Sequence, residues 1–342
     1  MLNKQNPLYQ EDLKNILSTK GIESFCGKSF LITGATGLLG LHLIDALMQL
    51  KDVKIYAVGR SKKKAEPRLG DYYKKENFFF LEQDVKEEFP NDLCVDYIIP
   101  GASNTHPLAY SQFPIETMMT NIKGAENALN LAERCNATVL YLSSVEIYGN
   151  ARGQEPFTED YTGQLNLSSF RSCYTESKRA CEALCQSYLE EKKVKVKIVR
   201  LSRIFGPTML ESDSKASSQF IKKAIAKEDI VLKSKGNQLF SYTYVSDAVS
   251  AMLCVLLNGE FGKAYNISNE KCNVHLSEFA QICAENCNKN VVFDIPTAAE
   301  QKGFSIATYA ILANDRIKNI GYIPKYTIKD AINRTIAILR GF

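Results

Sequence analysis

The sequence predicts a doubly wound α/β fold, a parallel sheet with helices on both faces, and three observations carry that prediction. Short, unbroken apolar runs alternate with helical patterns as far as about residue 203. A glycine triplet, Gly34, Gly37 and Gly40, stands between the first apolar run and the first helical pattern. In "RSCYTESKR", Tyr174 precedes Lys178 by four residues, which puts both on one face of a helix. Parallel strands are covered on both faces, so they read as continuous apolar segments rather than alternating ones.

Taken in order, "SFLITG" at 29–34 predicts a first strand and residues 38–50 a helix. "VKIYAVG" predicts the second strand, "NFFFLEQD" the third and "VDYIIPGA" the fourth. A helix over 114–135 leads to "ATVLYLSS", the fifth strand. "VKVKIVRLS" follows the helix that carries Tyr174 and makes the sixth. From about Ile204 the pattern loosens into loops, a helix at 217–226, a Tyr-rich strand at 241–245 and later helices. Residues 1–27 read as an added helix whose start signal is Asn6-Pro7. The expected organisation is therefore a helical extension at 1–27, a dinucleotide-type domain at 28–203 with a returning segment near 241–257, and a smaller lobe mainly from 204–342.

At 342 residues the chain is long enough for one large domain with a second lobe. Its 45% hydrophobic and 23% charged residues exclude a disordered chain. The net charge of +4 is spread out, and the densest basic run is only Lys62, Lys63 and Lys64, so nucleic acid is not an expected partner. The N-terminal stretch lacks an apolar signal region and no run reaches the length of a membrane span. A cytoplasmic protein without membrane contact is expected. The ten cysteines form no CxxC pair. The helical pairs Cys181/Cys185 and Cys283/Cys287 have none of His42, His106 and His275 near them in sequence, so no metal is expected.

Glycines at a strand–helix junction allow a tight turn and let a pyrophosphate approach backbone amides at a helix N-terminus. The spacing here is GxxGxxG, in the βαβ context such a motif needs. An acid at the end of the second strand would bind a ribose 2′-hydroxyl, whereas an arginine accommodates a 2′-phosphate. That strand ends "AVGRSKKK", with Gly59 where an acid would stand and then Arg60. The cofactor expected is NAD(P), with NADP slightly favoured.

The Tyr174–Lys178 spacing has a bland reading, since both residue types suit amphipathic helices. The chemical reading is that the ammonium favours the phenolate. At ~4 Å and an effective dielectric near 20, that attraction is about 4 kcal/mol. One pKa unit is ~1.36 kcal/mol, so a tyrosine near 10 would move toward neutrality and serve as a base.

With the glycine triplet, "YLSSVEIYG" and Tyr174-x-x-x-Lys178 in this order, the sequence resembles the extended short-chain dehydrogenases that modify nucleotide sugars: epimerases, 4,6-dehydratases and UDP-glucuronate decarboxylases. "IFGPTM", "SYTYVSDAVSA" and "AYNIS" extend the resemblance over nearly the whole chain, and "RSCY…KR" is most similar to the decarboxylase branch. The resemblance implies a general-base Tyr174, a Lys178 that also holds the nicotinamide ribose, and a Ser144 bonded to the same sugar hydroxyl, with Glu146 as a further catalytic carboxylate. It implies cofactor contacts from Gly34, Thr36, Gly37, Leu38, Leu39, Gly40, Arg60, Asp84, Val85, Ala102, Ser103, Asn121, Tyr174 and Lys178. Substrate contacts would come from Ser144, Glu146 and Arg203. A nucleotide-diphosphate sugar substrate, a homodimer and a place in polysaccharide biosynthesis follow from the same likeness.

Three departures bear on the reaction. Val145 stands where the dehydratases have a proton-donating aspartate, which disfavours dehydration. Arg203 replaces an asparagine usual beside the sugar. Phe240 replaces an arginine that commonly grips the diphosphate, a charge-assisted contact worth roughly 1.5–3 kcal/mol. In "KGFSIATYAILANDRIKNIGY" the nearest match to a decarboxylase's carboxylate-binding arginine is Arg316. The leading expectation is an NDP-sugar epimerase (an isomerase) acting through oxidation at C4. The alternatives are an NDP-uronate decarboxylase (a lyase), an NADPH-dependent keto-sugar reductase, and a dinucleotide-sensing protein without catalysis.

Overall fold

A computed structural model describes residues 2–105, 111–151, 153–295 and 307–341. His106 and residues 302–306 of the stretch searched for a carboxylate-binding arginine lie outside the described residues. Among the described residues no helix is long and apolar enough to cross a membrane.

The N-terminal helix α1 spans Pro7–Leu17, and Asn6 caps it by accepting the amides of Leu8 and Tyr9. The alternation expected from the sequence follows: β1 Ser29–Thr33, α2 Leu38–Leu47, β2 Lys54–Gly59, α3 Lys62–Leu69, β3 Phe78–Glu82, β4 Tyr97–Pro100, α4 Pro114–Cys135, β5 Thr138–Ser144, α5 Ser172–Lys192 and β6 Lys195–Leu201. Lys62, Lys63 and Lys64 are not a mere turn. They open α3 because the Ser61 side chain accepts the Lys64 amide as its N-cap.

The C-terminal part runs through β7 Arg203–Phe205, α6 Ala216–Ala226, β8 Ile230–Leu232, β9 Leu239–Tyr244, α7 Val245–Asn258 and β10 Ala264–Ile267. It continues with β11 Asn273–His275, α8 Leu276–Cys287, β12 Val291–Phe293, β13 Tyr309–Ala310, α9 Asp315–Lys318 and α10 Ile328–Arg340.

The main sheet has seven strands in the order β10-β6-β5-β4-β1-β2-β3, every neighbouring pair parallel. Phe30, Leu31, Ile32, Val139, Leu140, Val196 and Val199 lie inside it, all essentially without solvent contact. The chain reverses direction across the sheet between β1 and β4, so a crevice opens at the carboxyl ends of the strands there. β10 at 264–267 is the seventh strand, beyond the segment 241–257 expected to return to the sheet. A smaller sheet, β11-β9-β13 with β7 paired to β9, and the two-stranded β12-β8 build the other side.

Helix α1 is tied down by buried carboxylates that the sequence did not signal. Asp12, fully buried, accepts hydrogen bonds from Tyr244 Oη (2.5 Å), Tyr326 Oη (2.8 Å) and Arg334 Nη2 (2.8 Å). Asp45 of α2 likewise accepts from Tyr9 Oη and Tyr72 Oη and pairs with Lys4. A buried charge is tolerated when it is hydrogen-bonded; Asp45 ties the extension to α2, and Asp12 ties it to the end of β9, the loop at Tyr326 and the C-terminal helix α10.

Candidate active site

The glycine turn has the shape a pyrophosphate cradle needs. Gly34 has φ +66, and a Cβ there would fall 2.6 Å from the Gly101 carbonyl oxygen. A Cβ on Gly40 would lie 2.3 Å from the Gly34 carbonyl oxygen, so helix α2 packs too close to the turn for any side chain. Gly37 is the N-cap of α2 and Leu38 and Leu39 begin it, with no side chain capping their amides. Those unsatisfied amides, with the helix dipole behind them, favour an anion.

Beside the turn, Thr33, Val85, Ala102, Asn121 and Lys178 line one cavity with Tyr141. Ser103 Oγ and Asn121 Oδ1 are among the buried polar atoms of this region that have no hydrogen-bond partner among the described residues. The amide side of Asn121 donates to Ser177 Oγ at 2.8 Å, which leaves its oxygen aimed elsewhere. Glycine cradle, bare helix amides and orphaned acceptors fit a dinucleotide. Asp84 accepts the Lys86 amide in the loop after β3. Arg60 is largely exposed and donates from Nη1 to Glu116 Oε1 at 3.2 Å, so its guanidinium already has one anionic partner.

Ser144 ends β5 and its Oγ accepts the Glu146 amide at 3.2 Å, which starts a 3₁₀ turn over Val145–Tyr148. The same side chain lies beside Tyr174 and favours its ionised form. Arg179, one turn beyond Tyr174 on α5, donates to the Ile147 and Gly163 carbonyls, which fixes that turn against the helix. Lys178 is buried. Its Nζ donates to the Leu142 carbonyl at 2.7 Å and lies 6.0 Å from the Tyr174 ring centroid and 5.2 Å from that of Tyr141.

This geometry corrects the electrostatic arithmetic of the sequence reading. Burial pushes the Tyr174 phenol up to about 12; the Ser144 side chain pulls the other way, and the Glu146 carboxylate adds to the rise. Burial also brings the Lys178 ammonium down to about 8. The attraction expected at contact distance is outweighed because the phenolate would have to form in a dry site, and the ammonium is committed to a carbonyl. In the free protein Tyr174 is a neutral phenol.

Arg203, at the start of β7, faces Tyr242 in the β7–β9 register, so Phe240 is its diagonal neighbour on the same face. The guanidinium lies over the Phe240 ring with its carbon 3.5 Å from the centroid. Arg203 Nη2 reaches Glu146 Oε1 at 3.4 Å, a long contact. The two positions where the sequence departs from its family pattern therefore touch each other. Arg316 is engaged elsewhere: it pairs with Asp160 at 3.0 Å and Glu159 at 3.7 Å and donates to the Ala264 carbonyl.

Thus Ser144, Glu146, Tyr174, Lys178 and Arg203 gather beyond the carboxyl ends of β5 and β6, with Arg203 opening β7. Sequence reasoning missed Tyr141 beneath Lys178, the Leu142 carbonyl that holds it, and Arg179. The first opens "YLSSVEIYG", where only Ser144, Val145 and Glu146 were read for chemistry, the second is backbone, and the third was read only as part of "RSCYTESKR".

A parallel nucleotide-binding sheet that presents a tyrosine, a lysine and a serine at its carboxyl edge defines the short-chain dehydrogenase type of fold. The chain belongs to the NAD dependent epimerase/dehydratase family, an enzyme family whose model matches residues 30–268. It is similar to UDP-glucuronic acid decarboxylase 1 of Danio rerio, 36% identical over 259 residues that cover 75% of this chain and 60% of the relative. The chain thus spans about 60% of the length of that relative. UDP-glucose 4-epimerase of Thermotoga maritima, solved with UDP-glucose, has a TM-score of 0.78 at 19% identity, covering 91% of this chain and 98% of that one. UDP-glucuronic acid 4-epimerase of Bacillus cereus, solved with UDP-glucuronic acid and NAD, has a TM-score of 0.78 at 17% identity, covering 91% and 98%. At such identities the two structures share the fold.

Proposed function

We propose that this chain oxidises a nucleotide-diphosphate sugar at C4 with NAD(P), and that a uronate substrate then loses its carboxyl group as CO₂. The observation that carries the oxidation is the gathering of Ser144, Tyr174 and Lys178 in one buried site, with Ser144 favouring the Tyr174 phenolate and the Lys178 ammonium 6.0 Å from the Tyr174 ring centroid. A sugar hydroxyl between Ser144 Oγ and Tyr174 Oη would be held by Ser144 and give its proton to Tyr174. A bound nicotinamide dinucleotide would supply the hydride acceptor; residues 34–40 would hold its pyrophosphate, and Val85, Ala102, Ser103, Asn121 and Lys178 would hold the rest. Its positive ring and the Lys178 ammonium favour the phenolate that burial alone opposes. Oxidation at C4 leaves a ketone β to the C6 carboxylate; the C5–C6 bond breaks as its electron pair passes into an enolate, C5 then takes a proton from water, and the hydride returns to C4, so that a pentose and CO₂ are released and the cofactor ends as it began.

The decarboxylase reading is supported by the 36% identical relative and by the order Ser144-Val145-Glu146, which keeps a carboxylate but has no proton donor for dehydration. Epimerisation, the reading the sequence alone favoured, stays as the second because it requires nothing beyond Ser144, Tyr174 and Lys178. Proton NMR and mass spectrometry of products from UDP-, CDP-, GDP- and dTDP-linked hexoses and hexuronates separate the two. A pentose product with CO₂ supports decarboxylation, and a C4-inverted hexose or hexuronate supports epimerisation. A 4-keto-6-deoxy product contradicts the reading of Val145. Cofactor retained through purification would argue against a reductase that exchanges it each turnover. NADP preference rests on Arg60, assembly as a homodimer is carried forward from the family likeness, and a cytoplasmic location is carried forward from the reading of the N-terminal stretch and the cysteines.

A further inference from the structure

Within that nucleotide-sugar reading, one group in the site has an unused donor. Arg203 Nη1 is buried and has no hydrogen-bond partner among the described residues, although its neighbour Nη2 meets Glu146. A buried guanidinium donor without an acceptor costs free energy unless something else fills the position. The Phe240 ring supports the guanidinium face at 3.5 Å, which fixes its plane and leaves its edge to bind. Tyr242, opposite Arg203 in the register, is buried with its hydroxyl held neutral, so it does not supply a charge to compete. The only carboxylate contacting Arg203 among the described residues belongs to Glu146, two residues from Ser144, and at 3.4 Å it is a loose partner. Arg316 is already paired with Asp160 and Glu159.

We propose that Arg203, backed by Phe240, is the oxyanion receptor of the substrate site, and that Glu146 is the stand-in anion that the substrate displaces from it. The oxyanion is the sugar carboxylate or a diphosphate oxygen; both present the two-oxygen edge a guanidinium fork binds. Arg203 acts here as a specificity-determining residue.

Isothermal titration of the purified protein with UDP, CDP, GDP and dTDP first identifies the base it accepts. For that base, the free diphosphate, the neutral hexose and the hexuronate are then compared on the parent and on Arg203→Met. A loss of about tenfold or more confined to the hexuronate assigns the receptor to the carboxylate. A similar loss for all three assigns it to the diphosphate. Equal binding by parent and variant across the three overturns the inference and leaves the proposed reaction standing. A parent that binds none of the four diphosphates overturns the reaction and the inference together. Glu146→Gln leaves Arg203 in place, so it keeps the test decisive if Arg203→Met does not fold. The proposal requires Glu146→Gln to tighten the oxyanion ligand several-fold, because the internal competitor has lost its charge. Unchanged or weaker binding would mean a merely structural ion pair and would overturn the proposal.

Discussion

Two of the site's cation–aromatic pairs are built on opposite terms. Tyr174 and Lys178 lie on one helix; Lys178 donates to the Leu142 carbonyl and Tyr174 lies beside Ser144. Arg203 and Phe240 come from neighbouring strands, stack at 3.5 Å, and leave Nη1 without a partner. The first pair is preorganised and chemically quiet, its phenol up at about 12 and its ammonium down at about 8. The second is charged, half-satisfied and open. In the proposed reaction the first pair serves proton transfer and the second recognition: burial keeps the phenol neutral until cofactor and substrate bind, whereas the incomplete ion pair leaves a donor open.

The largest expected effect breaks the first pair. Tyr174→Phe keeps the ring's packing and removes the hydroxyl. Turnover on the identified substrate should fall by about 10²–10⁴-fold, with the circular dichroism spectrum and cofactor content kept. Lys178→Met should lower turnover and also loosen the cofactor, seen as cofactor lost on gel filtration. Retained cofactor with full turnover would mean the ammonium serves only the Leu142 carbonyl. Ser144→Ala should cost less, about tenfold, since it removes one hydrogen bond and leaves the base.

A titration sharpens the comparison without any substrate. The phenolate absorbance of the free parent minus that of Tyr174→Phe should appear near pH 12 and be absent near neutrality, because burial favours the neutral form. A Tyr174 signal near pH 7 would show that Lys178 alone tunes the phenol. The smallest effect concerns Arg60, exposed and already paired with Glu116. Arg60→Ala should weaken NADP more than NAD, and equal losses would assign this arginine to the surface ion pair.

Much of the sheet was legible because its cause is local. The helix at 114–135 falls at the expected residues, since Pro114 sits at its first turn and Asn136 ends it with φ 53. Strands β1, β2, β5 and β6 lie within a residue or so of their apolar runs, because both faces of a parallel strand are covered. The glycine triplet was legible for the same reason: no side chain fits at Gly34 or Gly40. What the sequence did not disclose depends on long-range packing. Nothing near Asp12 in sequence announces that Tyr244, Tyr326 and Arg334 will meet it. Arg203 and Phe240 read as two separate departures, and only the β7–β9 register makes them one feature. The Tyr174 phenol was misjudged because spacing gives proximity and says nothing of how dry the site is.

The central claim is that Tyr174 takes the proton while C4 of a nucleotide sugar is oxidised. The most direct measurement mixes cofactor-loaded protein rapidly with the accepted sugar nucleotide and follows the reduced-nicotinamide absorbance. The account predicts a rise in the parent that slows when C4 carries deuterium and is suppressed by at least about a hundredfold in rate in Tyr174→Phe. Product formation at the same rate in parent and variant, with no dependence on deuterium at C4, would contradict it.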